Sequence, residues 1–243
     1  MSRLAQIRAR SGLPDMLEGQ VQHLAITLLM TLGAFSLLQD TPGSTLFGVS
    51  AVAWAKTSIL LAILHQVIVA LGFRAQLHRN WLTDHFGDRD MRVWAMIFLP
   101  LLVARPITLI LTGWADTTLI TGLDTIETLI GLVLLGLAIW ALHSTLVHFT
   151  IRRALGGDHF RDEIAALPMV NKGVFEFTRN GMYGVAFLGL WGIAFLFGSW
   201  NALVVALFQH AYIWVHMYCT EKPDMEWIYG DRVNTTPELD ARA

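Results

Sequence analysis

Long apolar stretches recur along this chain, and they constrain its fold more than any other feature. A helix needs about 20 mostly apolar residues to cross the hydrocarbon core of a bilayer. Four stretches of roughly that length occur before residue 150, each bounded by polar or turn-forming residues. We interpret them as the first four spans: about Val21 to Leu38, Phe47 to Phe73, Val93 to Leu111, and Ile126 to Phe149.

The last apolar block, Tyr183 to Cys219, is too long for a single span. It contains a turn-like break at Gly198-Ser199-Trp200-Asn201, which predicts two helices joined by a tight loop. Neither half is long, so we expect this hairpin to cross only partly or at a tilt. The pattern predicts an all-α, multi-pass transmembrane helical bundle of about six spans with a C-terminal hairpin.

The positions of the basic residues give an independent test of this arrangement, because cytoplasmic loops of membrane proteins collect Lys and Arg. Of the 17 basic residues, all but two lie in the N-terminal segment, the loop after the second span, the segment after the fourth, or the tail. The intervening loops contain none, and only Lys56 and Arg105 lie inside spans. This distribution predicts six crossings with both termini in the cytoplasm.

Composition narrows the class of protein further. Charged residues make up 15% of the chain, against about 25% in soluble domains. The net charge of −2 gives no reason to expect a nucleic-acid partner, and a single cysteine, Cys219, excludes an internal disulfide framework and a four-cysteine zinc site. We predict no metal site. Because the N-terminus is polar and basic, we also predict no cleavable signal peptide. A bacterial inner membrane fits the sequence better than an organelle. The oligomeric state stays open.

Two polar strips flank the last hairpin, from Gly173 to Tyr183 and from Thr220 to Gly230. The basic residues predict that both strips face the cytoplasm. This placement suits a site that takes one reactant from water and another from lipid.

Each strip carries residue types that can bind a polar ligand. Gly173 and the Asn180-Gly181 pair offer free backbone N–H groups near a helix start, where anions bind. Glu221 follows a span directly, and a carboxylate there can accept a hydrogen bond from a ribose or hold a cation. The alternative is a solvated tail that stops the helix at Pro223.

Together the strips resemble those of the integral-membrane methyltransferases, which include phospholipid N-methyltransferases and isoprenylcysteine carboxyl methyltransferases. In that family a Gly-Pro-Tyr-Arg-Tyr-Val-Arg-His-Pro-Met-Tyr strip precedes a membrane hairpin, and a Glu-Glu-x-x-Leu…(Phe/Tyr)-Gly strip follows it. The segment from Leu155 to Phe160 also resembles the family's Leu-Gly-x-x-Phe element. The residues that match the two strips are Gly173, Phe175, Phe177, Arg179, Met182 and Tyr183 in the first, and Glu221, Met225, Tyr229 and Gly230 in the second.

Three departures from the family pattern refine the expectation. Asn180-Gly181 replaces His-Pro, and an Asn at that position is a feature of some phosphatidylethanolamine N-methyltransferases, which favours the phospholipid branch. The missing Pro loosens the turn. Lys222 replaces the second acid of the Glu-Glu pair, which argues against a role that needs two carboxylates.

The resemblance implies an enzyme of the EC 2.1.1 class that binds S-adenosylmethionine at the cytoplasmic end of the last spans. The acceptor would be a membrane lipid, first of all the amine headgroup of a phospholipid such as phosphatidylethanolamine. The residues it implies for the methyl donor are Gly173, Phe175, Arg179, Asn180, Gly181, Tyr183, Glu221 and Tyr229.

Individual roles follow from the same resemblance. Arg179 is a candidate partner for the donor's carboxylate, and Glu221 for its ribose or amino group. Tyr183 would contact the sulfonium or line the passage to the acceptor, since aromatic faces favour cations. An amine nucleophile must lose a proton, which Glu221 or His210 would accept.

Arg105 lies inside the third span, where a charge is costly and commonly functional. It is a candidate for binding a lipid phosphate, and structural pairing with an acid is the alternative. We divide the chain into a four-span bundle, residues 1–153, and a methyltransferase region with the hairpin and tail, residues 154–243.

Other functions remain open at this stage. The same fold methylates isoprenylcysteine carboxylates or small thiols. A haem-binding membrane protein would use intramembrane histidines such as His65, His143 and His210 as axial ligands. A structural membrane subunit would bind no methyl donor at all.

Overall fold

A computed structural model of the protein describes residues 1–230 as a bundle of long apolar helices. Five helical runs in this part of the chain are long and apolar enough to cross a membrane, and a sixth, Met182–Phe197, is shorter. The predicted all-α, multi-pass architecture is confirmed. The five long runs are Leu13–Leu37, Ala51–Arg79, Trp81–Ala115, Asp124–Phe149 and Trp200–Tyr229.

The first half of the chain forms six helices and one small hairpin. The hairpin pairs Thr45 with Ser50 in antiparallel fashion and closes the loop between the first two spans. The elements are α1 (Arg3–Arg10), α2 (Leu13–Met16), α3 (Gln20–Leu37), β1 (Thr45–Leu46), β2 (Val49–Ser50), α4 (Ala51–Arg79), α5 (Trp81–Phe86) and α6 (Asp90–Ala115), with a 3₁₀ turn at Gly87–Arg89.

Residues 116–230 contain six further helices, interrupted by turns of different pitch. Three of these turns are π-helical: Thr145–Phe149, Met182–Ala186 and Met217–Glu221. Two are 3₁₀ turns, Gly157–His159 and Gly173–Glu176. The helices are α7 (Asp124–Ser144), α8 (Ile151–Ala154), α9 (Asp162–Ala165), α10 (Leu188–Phe197), α11 (Trp200–His216) and α12 (Lys222–Tyr229).

Small side chains bring the central helices close together. Ala55 and Ala62 on α4, and Ala202 and Ala206 on α11, are fully buried in one apolar cluster. Between membrane helices, small residues let the backbones approach and gain van der Waals contact. α4 and α11 therefore form the centre of the bundle, and α3, α6 and α10 pack around them.

The tight loop expected within the last apolar block is present. Gly198 adopts a left-handed conformation, with φ of +57°, between the end of α10 and the start of α11. Asp116, at the end of α6, fixes this loop by accepting hydrogen bonds from Ser199 Oγ at 2.6 Å and Asn201 Nδ2 at 3.0 Å. One carboxylate thus ties the hairpin to the third span.

The second half of the hairpin is longer than we expected. Instead of a helix that stops at Pro223, α11 continues through the π-helical turn into α12 and ends at Tyr229. Pro223 lies in the first turn of α12, a position where its missing N–H and fixed φ are tolerated. The second polar strip is therefore helical and continuous with the last span.

The N-terminal helix α1 packs against α12 at one end of the bundle. Leu4 and Ile7 are buried with Ile228 and Leu77, and the Arg3 guanidinium donates to the carbonyl of Trp227 at 2.7 Å. This end of the molecule holds both polar strips, and the loop fixed by Asp116 lies at the other end.

Candidate functional site

A hydrogen bond between Tyr183 and Glu221 joins the two polar strips. The Tyr183 hydroxyl donates to Glu221 Oε2, so one residue from each strip contributes to the pair. Glu221 keeps 19% of its side-chain exposure. The carboxylate is thus held by the protein and still open to a ligand.

Both members of this pair lie in π-helical turns, Tyr183 in Met182–Ala186 and Glu221 in Met217–Glu221. Such turns are rare and are frequent at functional sites. In the second turn, the N–H of Lys222 bonds to the carbonyl of Met217, five residues back. The extra residue in each turn changes which side chains face the bundle interior.

Pro223 explains why the second π-helical turn forms. Because Pro223 has no N–H, the carbonyl of Cys219 lacks its regular helical donor. The side chain of Gln20 supplies one instead, with Nε2 at 3.3 Å from that carbonyl. The neighbouring carbonyl of Thr220 accepts from Arg74 Nη2 at 3.2 Å. Residues from α3 and α4 therefore complete the backbone bonding of the strip.

A buried ion network lies beside this turn. Arg74 Nε is 3.1 Å from Asp224 Oδ1, and both side chains are almost fully buried. His159 lies between Asp158, at 3.0 Å, and Asp224, at 3.2 Å, and Tyr229 donates to Asp158 at 2.7 Å. The network ties the segment around Asp158 and His159 to α4 and α12.

The carboxylates set the charge of His159. Burial alone would lower the pKa of His159, but the hydrogen bonds to Asp158 and Asp224 outweigh burial and raise this pKa to about 10. Burial also opposes ionisation of Asp158, yet its hydrogen bond with His159 holds the pKa of Asp158 below the ordinary value. His159 is therefore a protonated structural cation at neutral pH.

The glycines of the first strip are needed for the strip's own packing. Gly173 has φ of +62°, and a Cβ there would lie 2.5 Å from Ser144 Oγ on α7. A Cβ at Gly181 would lie 2.5 Å from Val174 Cγ1. The space beside both glycines is filled by the protein itself, and close approach to a methyl donor stays a prediction.

The other predicted residues of the first strip have different surroundings. Phe175 is buried and stacks on Phe149, with ring centroids 5.5 Å apart. The carbonyl of Asn180 accepts from the N–H of Gly184 at 2.8 Å and so begins the helical turn that carries Tyr183. Arg179 is exposed, so its guanidinium is open to solvent.

His210 contacts the backbone of Tyr183, whereas Glu221 contacts the hydroxyl of that tyrosine. Its Nδ1 accepts a hydrogen bond from Trp191 at 2.9 Å. At 1.5 Å per residue along the helix, Glu221 is on the order of 15 Å further on. The structure does not bring these two predicted proton acceptors together.

Arg105 is buried in the bundle, and its partner is not an acid. Its Nε donates to Gln209 Oε1 at 2.9 Å, and its guanidinium lies 5.2 Å from the centroid of the Phe187 ring. Among residues 1–230, no side chain or carbonyl pairs with Nη2. Within residues 1–230 the alternative of structural pairing with an acid is not found, since an amide takes that place, and one edge of the guanidinium remains without a partner in this part of the chain.

Several residues around the pair could not be assigned a role from the sequence. Arg74 and Gln20 lie outside both strips, and His216 resembled the other intramembrane histidines. Asp158 and His159 fall inside the Leu-Gly-x-x-Phe element, which the resemblance had marked without assigning their function. That element is the one sequence feature that could have pointed to Asp158 and His159.

These features define a multi-span helical membrane protein with a partly open carboxylate–phenol pair and an ion network at one end of the bundle. The comparison with known families agrees with this description. The profile of a family described as phospholipid methyltransferase matches residues 126–232.

Related curated proteins carry one activity in their names. A phosphatidylethanolamine N-methyltransferase from Clavispora lusitaniae is 30% identical over 117 residues, which is 47% of this chain and 13% of that protein. The one from Scheffersomyces stipitis is 33% identical over 78 residues, 32% of this chain and 9% of that protein. The one from Malassezia globosa is 24% identical over 229 residues, 85% of this chain and 22% of that protein. The chain thus spans less than a quarter of each relative, and no solved structure matches it significantly.

Proposed function

We propose that this protein methylates the amine headgroup of a phospholipid such as phosphatidylethanolamine, with S-adenosylmethionine as the methyl donor. The observation that carries the proposal is the Tyr183–Glu221 hydrogen bond, which joins the two strips of the family region. The names of the related proteins support the lipid amine over an isoprenylcysteine carboxylate or a small thiol as the acceptor.

The residues present fit a cationic donor. Tyr183 and Trp214 present aromatic rings with centroids 6.2 Å apart beside the Glu221 carboxylate. Aromatic faces and carboxylates attract cations, and both the sulfonium of the donor and the ammonium of the lipid are cationic. When bound, S-adenosylmethionine supplies the methyl group as an electrophilic carbon. Glu221, Tyr183 and the exposed Arg179 are the residues we assign to it.

Glu221 also suits the proton that the reaction releases. A lipid ammonium must lose a proton before its nitrogen lone pair can act as the nucleophile. A carboxylate held by Tyr183 and still 19% exposed can accept that proton within hydrogen-bonding distance. Because the side chains are fixed on two helices, alignment of the reactants would provide much of the rate enhancement.

We further propose that Arg105 binds the phosphate of the lipid headgroup. Phe187 lies over the Arg105 guanidinium and is one helical turn from Tyr183. A phosphate near Arg105 would therefore lie about one helical turn from Tyr183, the residue that donates to Glu221. Arg105 Nη2, which has no partner among residues 1–230, is a donor suited to a phosphate oxygen.

The histidines that a haem protein would need are poorly placed. His65 is fully buried with its ring 4.8 Å from that of Phe98, His143 is exposed, and His210 bonds to Trp191. Because axial ligation needs two imidazoles facing one iron, these surroundings favour methyl transfer over haem binding.

The distribution of basic residues supports a site that faces the cytoplasm, where the water-soluble donor is available. The related proteins named above come from yeasts, so they do not support our prediction of a bacterial inner membrane. Cysteine labelling of single-cysteine variants at the two ends of the bundle, in sealed vesicles, would test the orientation.

The activity is tested with purified protein in detergent, phosphatidylethanolamine and isotopically labelled S-adenosylmethionine, with methylated lipids measured by mass spectrometry. We expect Glu221→Gln and Tyr183→Phe to lose most of the transfer while remaining folded. Matched controls are Glu226→Gln and Tyr218→Phe, because both side chains are exposed. An active Glu221→Gln variant would contradict the proposed site.

A further inference from the structure

We infer that His216 positions the Glu221 carboxylate, which makes His216 a further positioning residue of the site. This inference rests on the methyl-transfer function proposed above. His216 Nε2 lies 3.5 Å from Glu221 Oε1, and Tyr183 donates to the other oxygen, Oε2. The two oxygens of one carboxylate therefore face two different side chains.

The π-helical turn makes this contact possible. In a regular α-helix, residues five apart point about 140° away from each other, so positions 216 and 221 would face different directions. The turn Met217–Glu221 widens the helix between them. It thereby places the imidazole and the carboxylate on the same side of the last span.

The His216 ring is buried next to the Glu221 carboxylate. His216 is fully buried, and neither ring nitrogen has a hydrogen-bond partner within residues 1–230. The 3.5 Å separation from Glu221 is longer than a normal hydrogen bond. Catalytic hydrogen bonds are often long without substrate and shorten when it binds. A small movement of Glu221 on binding would complete this one.

A residue from the first span holds the imidazole in place. The ring of His23 on α3 contacts that of His216 edge-on, with centroids 5.7 Å apart. His23 Nε2 is itself 3.1 Å from the hydroxyl of Tyr212, one turn earlier on α11. The first span, which lies outside the matched family region, thus orients the histidine that faces Glu221.

His65 provides the comparison for testing this role. It is also fully buried, and its ring nitrogens also lack partners among residues 1–230, but its ring packs against Phe98. Both His65→Phe and His216→Phe remove an imidazole from the bundle interior. Only His216→Phe of these two variants also removes a contact with Glu221.

The experiment compares His216→Phe, His216→Gln and His65→Phe in purified, folded protein. Gln places an amide near the position of Nε2, whereas Phe keeps the volume of the ring without a polar atom. We expect His216→Phe to lower kcat about 10- to 100-fold, the effect of losing one hydrogen bond to a charged group. His216→Gln should recover most of the loss, and His65→Phe should keep the wild-type kcat.

A second readout separates positioning from a general effect on structure. The infrared carboxyl band that disappears in Glu221→Gln reports the titration of Glu221 directly. We expect its midpoint, and that of the pH–rate profile, to differ from wild type in His216→Phe and to return in His216→Gln. The ionisable groups near His216 are Glu221 on its own helix, His23 on α3, His65 and Arg74 on α4, and Arg105 on α6.

The possible results distinguish this inference from the function on which it rests. If wild-type protein transfers methyl groups and His216→Phe has the same kcat and infrared band, the inference is wrong and the function stands. Equal losses in His216→Phe and His65→Phe, or no recovery in His216→Gln, also overturn it. Absence of methyl transfer and of donor binding in the wild type overturns both.

Discussion

Arg74 and Asp224 form a buried ion pair, with 3.1 Å between Nε and Oδ1, although they lie on α4 and α12. Arg74 also donates to the carbonyls of Asp15, Glu18 and Thr220. A single guanidinium therefore joins the N-terminal segment, the second span and the last helix. It connects the region outside the family match to the second polar strip.

Removing one partner of this pair should destabilise the protein strongly. We expect Arg74→Met to lower the free energy of unfolding by about 3–5 kcal/mol, because the buried carboxylates of Asp158 and Asp224 would then share the single positive charge of His159. Thermal unfolding in detergent measures the loss, and Arg89→Met is the control because Arg89 is exposed. In a double-mutant cycle with Asp224→Asn, additive losses would contradict a direct interaction.

Stability should fall at alkaline pH through His159. Because the pKa of folded His159 is raised from 6.5 to about 10, its contribution is complete below about pH 6.5 and lost as pH rises toward 10. We expect the melting temperature to decline over that window. His159→Gln should flatten the decline, whereas His85→Gln, an exposed histidine, should leave it unchanged. An identical decline in His159→Gln would exclude this source.

Gly19 should be required for stability, because the N-terminal segment passes close to the π-helical turn Met217–Glu221 at this residue. It has φ of +75°, and a Cβ there would lie 2.2 Å from the carbonyl oxygen of Cys219. We expect Gly19→Ala to cost more than about 1 kcal/mol of stability, since it combines an unfavourable backbone conformation with a steric clash. Gly43→Ala is the matched control: Gly43 has φ of +87° and open space around it. Equal melting temperatures for the two variants would show that the Cys219 contact is unimportant.

Arg105 should determine the preference for a phosphate-containing lipid. We expect Arg105→Gln to raise KM for phosphatidylethanolamine about 10- to 100-fold and to leave KM for S-adenosylmethionine unchanged, since it removes a charge-assisted hydrogen bond. Methylation rates of an amine-bearing lipid without a phosphodiester should be the same in the wild type and in Arg105→Gln. Lys56→Gln serves as the control because Lys56 is an exposed cation within a span. A parallel rise in both KM values would argue for a structural role.

Much of the architecture could be predicted from the sequence, because the length of an apolar stretch can be read from neighbouring residues alone. The four early spans and the break at Gly198 follow from composition and turn chemistry within short windows. The extension of the last helix through Pro223 could not be predicted in this way. It depends on Gln20 and Arg74, which supply hydrogen-bond donors to Cys219 and Thr220 from distant parts of the chain.

The candidate site shows the same division. Tyr183 and Glu221 were predicted from the two strips, and the structure places them in direct contact. His216 was not singled out, because a spacing of five residues brings side chains together only where the helix has π-helical pitch. Arg105 was singled out, but its amide partner Gln209 lies on another span.

The sequence by itself determined the membrane-spanning helical class, the two polar strips and the match of residues 126–232 to the phospholipid methyltransferase profile, since each is recorded in local composition or spacing. The tertiary structure decided which groups surround Glu221 and which cations neutralise Asp224. The physical reason is that buried polar groups must find partners in the folded bundle. Asp224 finds two, His159 and Arg74, and Arg74 lies 150 residues away in sequence.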